Sequence, residues 1–233
     1  MRKALIVYGS PGAGKGTQAN LLAAKLGLIH FDTGKFMEQT VHDPANANDR
    51  QVQQQRELFD TGKLCDPQWA YRVVSEQTKR IYASGLGIVF SGSPRTELEA
   101  FTAEGGKRGL VDLLEDLYGR DNVHVLYLKI KPETTVHRNS NRLICSVCGT
   151  AVMYLPEAQP KICPICGGAF RKRTLDTPEI IKVRLQEFEN RTAPILAKLR
   201  ERGYEIVEID GEPLPYLVFA TILEKLGFPA KSN

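Results

Sequence analysis

The chain has 233 residues, 42% hydrophobic and 25% charged, with a formal net charge of +4, an ordinary globular composition that excludes intrinsic disorder. No apolar run approaches the eighteen or so residues of a membrane span, and the run behind Arg2 and Lys3 is too short for a signal peptide, so the expected location is cytoplasmic and no membrane partner is expected. The positive charge is scattered rather than gathered in a tail, which suits phosphate-binding arginines better than a nucleic-acid surface.

The first predicted element is a buried strand, Ala4-Leu5-Ile6-Val7-Tyr8, a continuous apolar run of the kind parallel sheets cover on both faces. It leads into the glycine-rich turn GSPGAGKGTQ at residues 9–18, then into a helix carrying Leu21, Leu22 and Leu26 on its buried side. Gly9, Gly12, Gly14 and Gly16 let the backbone turn tightly and come close to an anion. Successive N–H groups and the positive end of the helix dipole then converge on one spot. Lys15 is placed to reach the β- and γ-phosphates as a point charge, and Thr17 to face a metal ion. The strict pattern wants Ser or Thr directly after the lysine; here Gly16 intervenes. With a strand before and a helix after, the run predicts a nucleoside-triphosphate site.

Residues 31 to 83 hold several helical stretches without a clear strand, which reads as a helical insert. Further strands are predicted at 87–91, 123–130 and 204–209, with helices at 178–202 and 214–226. That alternation predicts an α/β chain with a parallel sheet covered on both faces. The segment 143–173 has little periodicity and four of the five cysteines: Cys145-x2-Cys148, fourteen residues, then Cys163-x2-Cys166, with Gly149 and Gly167 after the two pairs. Two such knuckles predict a tetrahedral structural zinc site with no open position. A piece of that size cannot bury its own core, which is why a metal staple belongs there. Two disulfides are the alternative, disfavoured in a cytoplasmic chain; a redox pair would need only two of the four. Cys65 is left over and reads as a small buried apolar residue.

Seven motifs in order give this chain a family resemblance. GSPGAGKGTQ at 9–18, FDTG at 31–34, GKL at 62–64, SGSPRT at 91–96, HRNSNR at 137–142, CPICGGAFRKR at 163–173 and RLQEFENRTAPI at 184–195 together resemble the adenylate kinase family in its long form with a zinc-bearing lid. The P-loop of that family includes the glycine before the threonine. The resemblance implies a P-loop, three-layer, doubly wound parallel sheet with two inserts. Its parts would be a core of 1–30, 84–142 and 174–233, a helical acceptor-binding insert of 31–83, and a zinc-binding lid of 143–173. It also implies Mg2+-dependent transfer of the ATP γ-phosphoryl to a nucleoside monophosphate, AMP by default, by a monomer. Lys15, Arg142, Arg173 and Arg184 would surround the transferring group, and Arg95 would hold the acceptor phosphate. Gly12, Ala13, Gly14, Lys15, Gly16, Thr17, Arg138 and Arg142 would bind ATP. Thr33, Gly34, Lys35, Glu38, Leu64, Gly92, Arg95 and Glu99 would line the acceptor pocket. A guanidinium grips phosphate through two bonds at once, and a single such arginine is worth roughly 10³ to 10⁵ in rate.

The ATP side and lid follow the family pattern; the acceptor side departs from it. An acidic residue of the family's acceptor motif is replaced by Lys35 and its acceptor-phosphate arginine by Glu38. A second aspartate is replaced by Ser91, a phenylalanine by Ser93, and the glutamine that reads adenine by Glu99. The lid's final pair of aspartates is Leu175-Asp176. Both lost aspartates sit near the magnesium in the family; Asp32 is a candidate to reach the same water shell. An arginine-to-glutamate change forfeits a charged hydrogen bond of about 1.5–3 kcal/mol. Lys35 offers partial replacement if it points inward, while a Glu38–Lys35 pair facing water is the bland alternative. Glu99 as a carboxylate only accepts hydrogen bonds, which suits the donor edge of guanine or the amino group of cytosine. Three readings follow: a kinase for AMP, a same-fold kinase for another acceptor (GMP, CMP or a nucleoside), and an ATP-binding sensor that transfers little. A nucleic-acid-binding zinc ribbon is disfavoured, because residues 149–162 lack interleaved basic and aromatic residues.

Overall fold

The computed structural model describes residues 2–103, 107–152 and 159–228. Strand β1 (Ala4–Gly9) is buried along its whole length. Helix α1 (Lys15–Leu26) follows, then β2 (Leu28–Phe31). Three helices come next: α2 (Thr33–His42), α3 (Arg50–Asp60) and α4 (Pro67–Ala83). Each starts on an aspartate that caps free N–H groups: Asp32 on Lys35, Asp49 on Gln51 and Val52, Asp66 on Gln68 and Trp69. The chain returns to the sheet in β3 (Gly87–Phe90). It continues through α5 (Glu97–Phe101), the short strands β4 (Thr102–Ala103) and β5 (Lys107–Arg108), α6 (Leu110–Tyr118), β6 (Val123–Lys129) and α7 (Pro132–Ser140). Strands β7 (Leu143–Cys145), β8 (Ala151–Val152) and β9 (Phe170–Arg171) form a small antiparallel sheet of their own, in the order β8-β7-β9. Helices α8 (Pro178–Glu187) and α9 (Ala193–Glu201), strand β10 (Ile206–Asp210) and helix α10 (Pro215–Lys225) complete the chain.

The main sheet has the order β10-β6-β1-β3-β2, and every pairing in it is parallel. Because side chains alternate along a strand, β1 feeds two cores. Ala4, Ile6 and Tyr8 pack with Ile88, Phe90, Val125, Leu114 and Ile195 on one face. Leu5 and Val7 pack with Leu22, Val89, Leu126, Ile209 and Ile222 on the other. That is the parallel sheet covered on both faces that the alternation predicts, and the three-layer, doubly wound arrangement that the resemblance implies. Strand β1 lies between β3 and β6, which leave it on opposite sides, so the crevice of the fold opens at its C-terminal end.

Three expectations need correction. The sheet has an edge strand, β2, where no strand was predicted. The helix predicted over 178–202 is interrupted by a π-helical stretch at Phe188–Thr192, which separates α8 from α9. The last strand covers Ile206–Asp210 rather than 204–209. Among the described residues no helix is long and apolar enough to cross a membrane.

Candidate active site

Gly9 ends β1 at the crevice, and α1 begins at Lys15, so the unpaired N–H groups of its first turn face the same space. Gly12 has φ +86, and a Cβ there would stand 2.8 Å from Asn139 Nδ2; only glycine fits this turn against α7. Lys15 Nζ folds back to donate to the carbonyls of Gly9 (2.7 Å) and Ser10 (2.8 Å). Its pKa lies well below the usual lysine value, because of burial first and then the charges of Arg95, Arg184 and Arg142.

These cations border one cleft of about 1170 Å³. At the end of the cleft near Gly12, Arg138 donates to the carbonyls of Gly211 (2.9 Å) and Glu212 (2.9 Å). Arg142 Nε lies 3.4 Å from Asp176 Oδ2, and its Nη2 donates to Asn139 Oδ1. Arg184 Nη1 lies 3.0 Å from the other Asp176 oxygen, whose side chain is only 3% exposed. Burial, and next the charge of Arg173, bring Arg184 down to about 9. Arg173 Nη2 is 3.1 Å from Glu38 Oε2. Arg95 Nε donates to Gly92 O at 2.7 Å; burial lowers its pKa, against the pull of Glu99 and Asp32. Cations packed this closely, with pKa values pushed down, mark a place built for anionic ligands.

A side cavity of about 50 Å³ adjoins the cleft, lined by Thr33, Met37, Leu64, Ser93, Thr96 and Glu99 among others. Glu99 is 2% exposed. Its Oε2 accepts the Arg95 N–H at 2.7 Å, while its Oε1 has no hydrogen-bond partner among the described residues. Burial pushes its carboxyl up, against the Arg95 N–H and the Ser93 hydroxyl, which favour the charged form. The Thr33 hydroxyl and the nearby Tyr8 hydroxyl are likewise buried without partners. Native proteins leave few such atoms, so two on the side cavity, at Glu99 and Thr33, and one on the main cleft, at Tyr8, point to a ligand that supplies the missing bonds.

On the main cleft, His30 bridges Asn20 and Ser91 with 2.6 Å contacts to each. The Asn20 oxygen can only accept, so His30 Nδ1 carries a proton and Nε2 accepts from the Ser91 hydroxyl. Burial, the largest influence, holds the imidazole pKa down and keeps it neutral. Asp32 Oδ1 caps Lys35 N at 3.1 Å, and its Oδ2 sits 4.0 Å from where a Cβ on Gly16 would be. The carboxylate therefore borders the P-loop.

The ligand atoms of Cys145, Cys148, Cys163 and Cys166 all lie within 4.8 Å of one another. Tetrahedral zinc with Zn–S bonds of 2.3 Å requires sulfurs about 3.8 Å apart, and the contacts Cys145–Cys166 (3.4 Å) and Cys148–Cys163 (3.7 Å) are close to that. The N–H groups of Val147 and Cys148 point at Cys145 Sγ. Four soft donors in this arrangement fit zinc. Cys65 is half-buried beside the side cavity, and burial raises its thiol to about 11.

The residues expected at the site are brought together. Gly12, Ala13, Gly14, Lys15, Gly16, Thr17, Gly34, Lys35, Glu38, Leu64, Gly92, Arg95, Arg138, Arg142, Arg173 and Arg184 border the cleft, and Thr33 and Glu99 border the side cavity. One alternative is corrected: the ion pair of Glu38 is with Arg173 rather than with Lys35. Sequence reasoning missed the anchoring by Asp176, the His30–Ser91 bond and the orphaned Tyr8 hydroxyl. Only Asp176 left a signal, as the surviving member of an acidic pair.

Comparison with known proteins agrees with this geometry. The family model described as adenylate kinase matches residues 7–204. A protein of Caldicellulosiruptor saccharolyticus named adenylate kinase is 30% identical over 90% of this chain and 93% of its own. One of Oceanobacillus iheyensis, with the same name, is 31% identical over 95% and 99%. One of Halobacterium salinarum, again so named, is 29% identical over 94% of each chain. The chain belongs to the adenylate kinase family and is a nucleoside monophosphate kinase.

Proposed function

We propose that this kinase moves the γ-phosphoryl of MgATP to AMP, giving two ADP, with Arg95 holding the acceptor phosphate and the base in the side cavity beside Glu99. An acceptor phosphate oxygen attacks the γ-phosphorus, and the bond to the β–γ bridging oxygen breaks. Catalysis is then positioning plus charge, supplied by Lys15, Arg142, Arg173 and Arg184. The core, a lid of 143–173 and an acceptor insert of 31–83 are the parts that would close over it and exclude water. Magnesium would be held by the ATP phosphates and Thr17, with Asp32 and Ser91 toward its water shell, and would neutralise charge on the phosphates. Zinc in the four cysteines would fix the fold of the lid. Reduced cysteines of this kind suit a cytoplasmic location.

The observation that carries this reading is the set of six cations around one cleft, Lys15, Arg95, Arg138, Arg142, Arg173 and Arg184, next to a side cavity with two unpartnered polar atoms. A second acceptor is favoured by one specific atom, Glu99 Oε1. Protonated, it donates to a ring nitrogen such as adenine N1; ionised, it accepts from a ring N–H such as that of guanine. ADP formation from MgATP with AMP, GMP, CMP, UMP and plain nucleosides, offered one at a time, tests both readings. Conversion of AMP supports the first, and of GMP or CMP alone the second. ATP binding with no transfer to any of them would contradict both and return the sensor reading.

A further inference from the structure

Glu38 and Arg173 come from the two segments that flank the cleft: Glu38 from α2 and Arg173 from the chain just after β9. Their side chains meet at 3.1 Å and are only 27% and 17% exposed, so solvent screens the pair weakly. A second approach of the same segments lies beside it, where Lys35 Nζ is 3.5 Å from the position a Cβ would take on Gly149. Three other arginines of the cleft have their own partners. Arg142 and Arg184 share Asp176, and Arg138 is held by backbone carbonyls. The carboxylate of Arg173 is therefore Glu38, brought to it from 135 residues away.

We infer that Glu38 is a specificity-determining residue: its carboxylate takes the place of an acceptor phosphate at Arg173 and latches the lid to the acceptor insert until a phosphate displaces it. The inference rests on the proposed place of Arg173 at the transferring phosphoryl and extends it, beside Arg95, to the acceptor phosphate whose oxygen attacks there. Only an anion that binds a guanidinium better than a carboxylate releases the latch, and a phosphate dianion offers more charge and more acceptor oxygens. An acceptor that carries its own phosphate is therefore favoured over one that does not, and the latch raises the concentration of it that is needed.

The test is Glu38→Gln in the full chain, which keeps shape and removes charge. The acceptor KM is expected to fall by about three- to tenfold, the scale of a partly shielded ion pair, while the KM for MgATP moves less than twofold. In small-angle scattering of the nucleotide-free enzyme the variant is expected to have a larger radius of gyration than the parent. An acceptor KM that stays or rises would overturn the proposal by showing that Glu38 helps to hold the acceptor. A fall in KM with no expansion would overturn it as well, leaving simple repulsion of the phosphate. If the parent phosphorylates none of the offered acceptors, the kinase reading fails, and the scattering comparison still decides whether the latch exists.

Discussion

Asp176 shows how much a single buried side chain arranges here. Its two oxygens hold Arg142 and Arg184 at 3.4 and 3.0 Å, so one carboxylate sets the spacing of two guanidiniums of the cleft. Asp176→Asn keeps the volume but removes the charge, and we expect kcat to fall by about a hundredfold, the usual cost of a small misplacement, with a smaller change in KM; steady-state kinetics reads both. Lys15 is expected to be indispensable: Lys15→Met should lower kcat by about 10³ or more, as for other cations on a transferring phosphoryl. Glu99 gives a pH prediction. Its carboxyl is raised by burial, so the protonated form, which donates, persists to higher pH than in an ordinary glutamate. The ratio of kcat/KM for AMP to that for GMP should fall as pH rises, and Glu99→Gln should flatten that dependence in favour of AMP. A ratio equally pH-dependent in both proteins would show that Glu99 does not read the base.

At the scale of elements, what was legible in sequence is what local physics decides. The apolar run of β1, the glycine turn and the amphipathic start of α1 declare a phosphate site within sixteen residues, because the strand, turn and helix need little from the rest of the chain. The paired cysteines declare a metal staple for the same reason. Strand β2 was not legible, since as an edge strand it is buried fully only at Phe31 and has no continuous apolar run. The break between α8 and α9 was also hidden: the stretch Phe188–Thr192 continues a helical pattern, and only its backbone bonding differs. Glu38 was read beside its sequence neighbour Lys35, whereas its partner is 135 residues away, a distance that no local pattern crosses. The cysteine sheet gives this scale its prediction. Removing zinc with a strong chelator should free residues 143–173 from their fold. Limited proteolysis should then cut there first and activity should fall, while the circular dichroism of the helical core is largely kept. Loss of the whole helical signal at once would instead make the metal a support of the entire fold.

In the whole molecule, charge is distributed so that Lys35 and Glu38 of α2 meet Gly149 and Arg173 of the cysteine-bearing segment at the cleft. The sheet supplies a rigid floor: β1, β3 and β6 fix the P-loop, the Ser91–Thr96 turn and the start of α7. The moving parts would carry the rest, Arg173 from one side and Lys35 and Glu38 from the other. The residues that depart from the family pattern, Lys35, Glu38, Ser91, Ser93 and Glu99, gather on α2 and on the turn and helix after β3. On the proposed function, the floor and the arginines would serve any phosphoryl acceptor, whereas Glu38 and Glu99 would tune which one is taken. The most direct measurement follows the phosphoryl group itself: ATP labelled at the γ-phosphate, magnesium and the preferred monophosphate, with the label located after a single turnover. The account predicts label in the nucleoside diphosphate formed from the acceptor, with little in inorganic phosphate, because the closed cleft excludes water. Label released mainly as inorganic phosphate, or left on ATP, would contradict it.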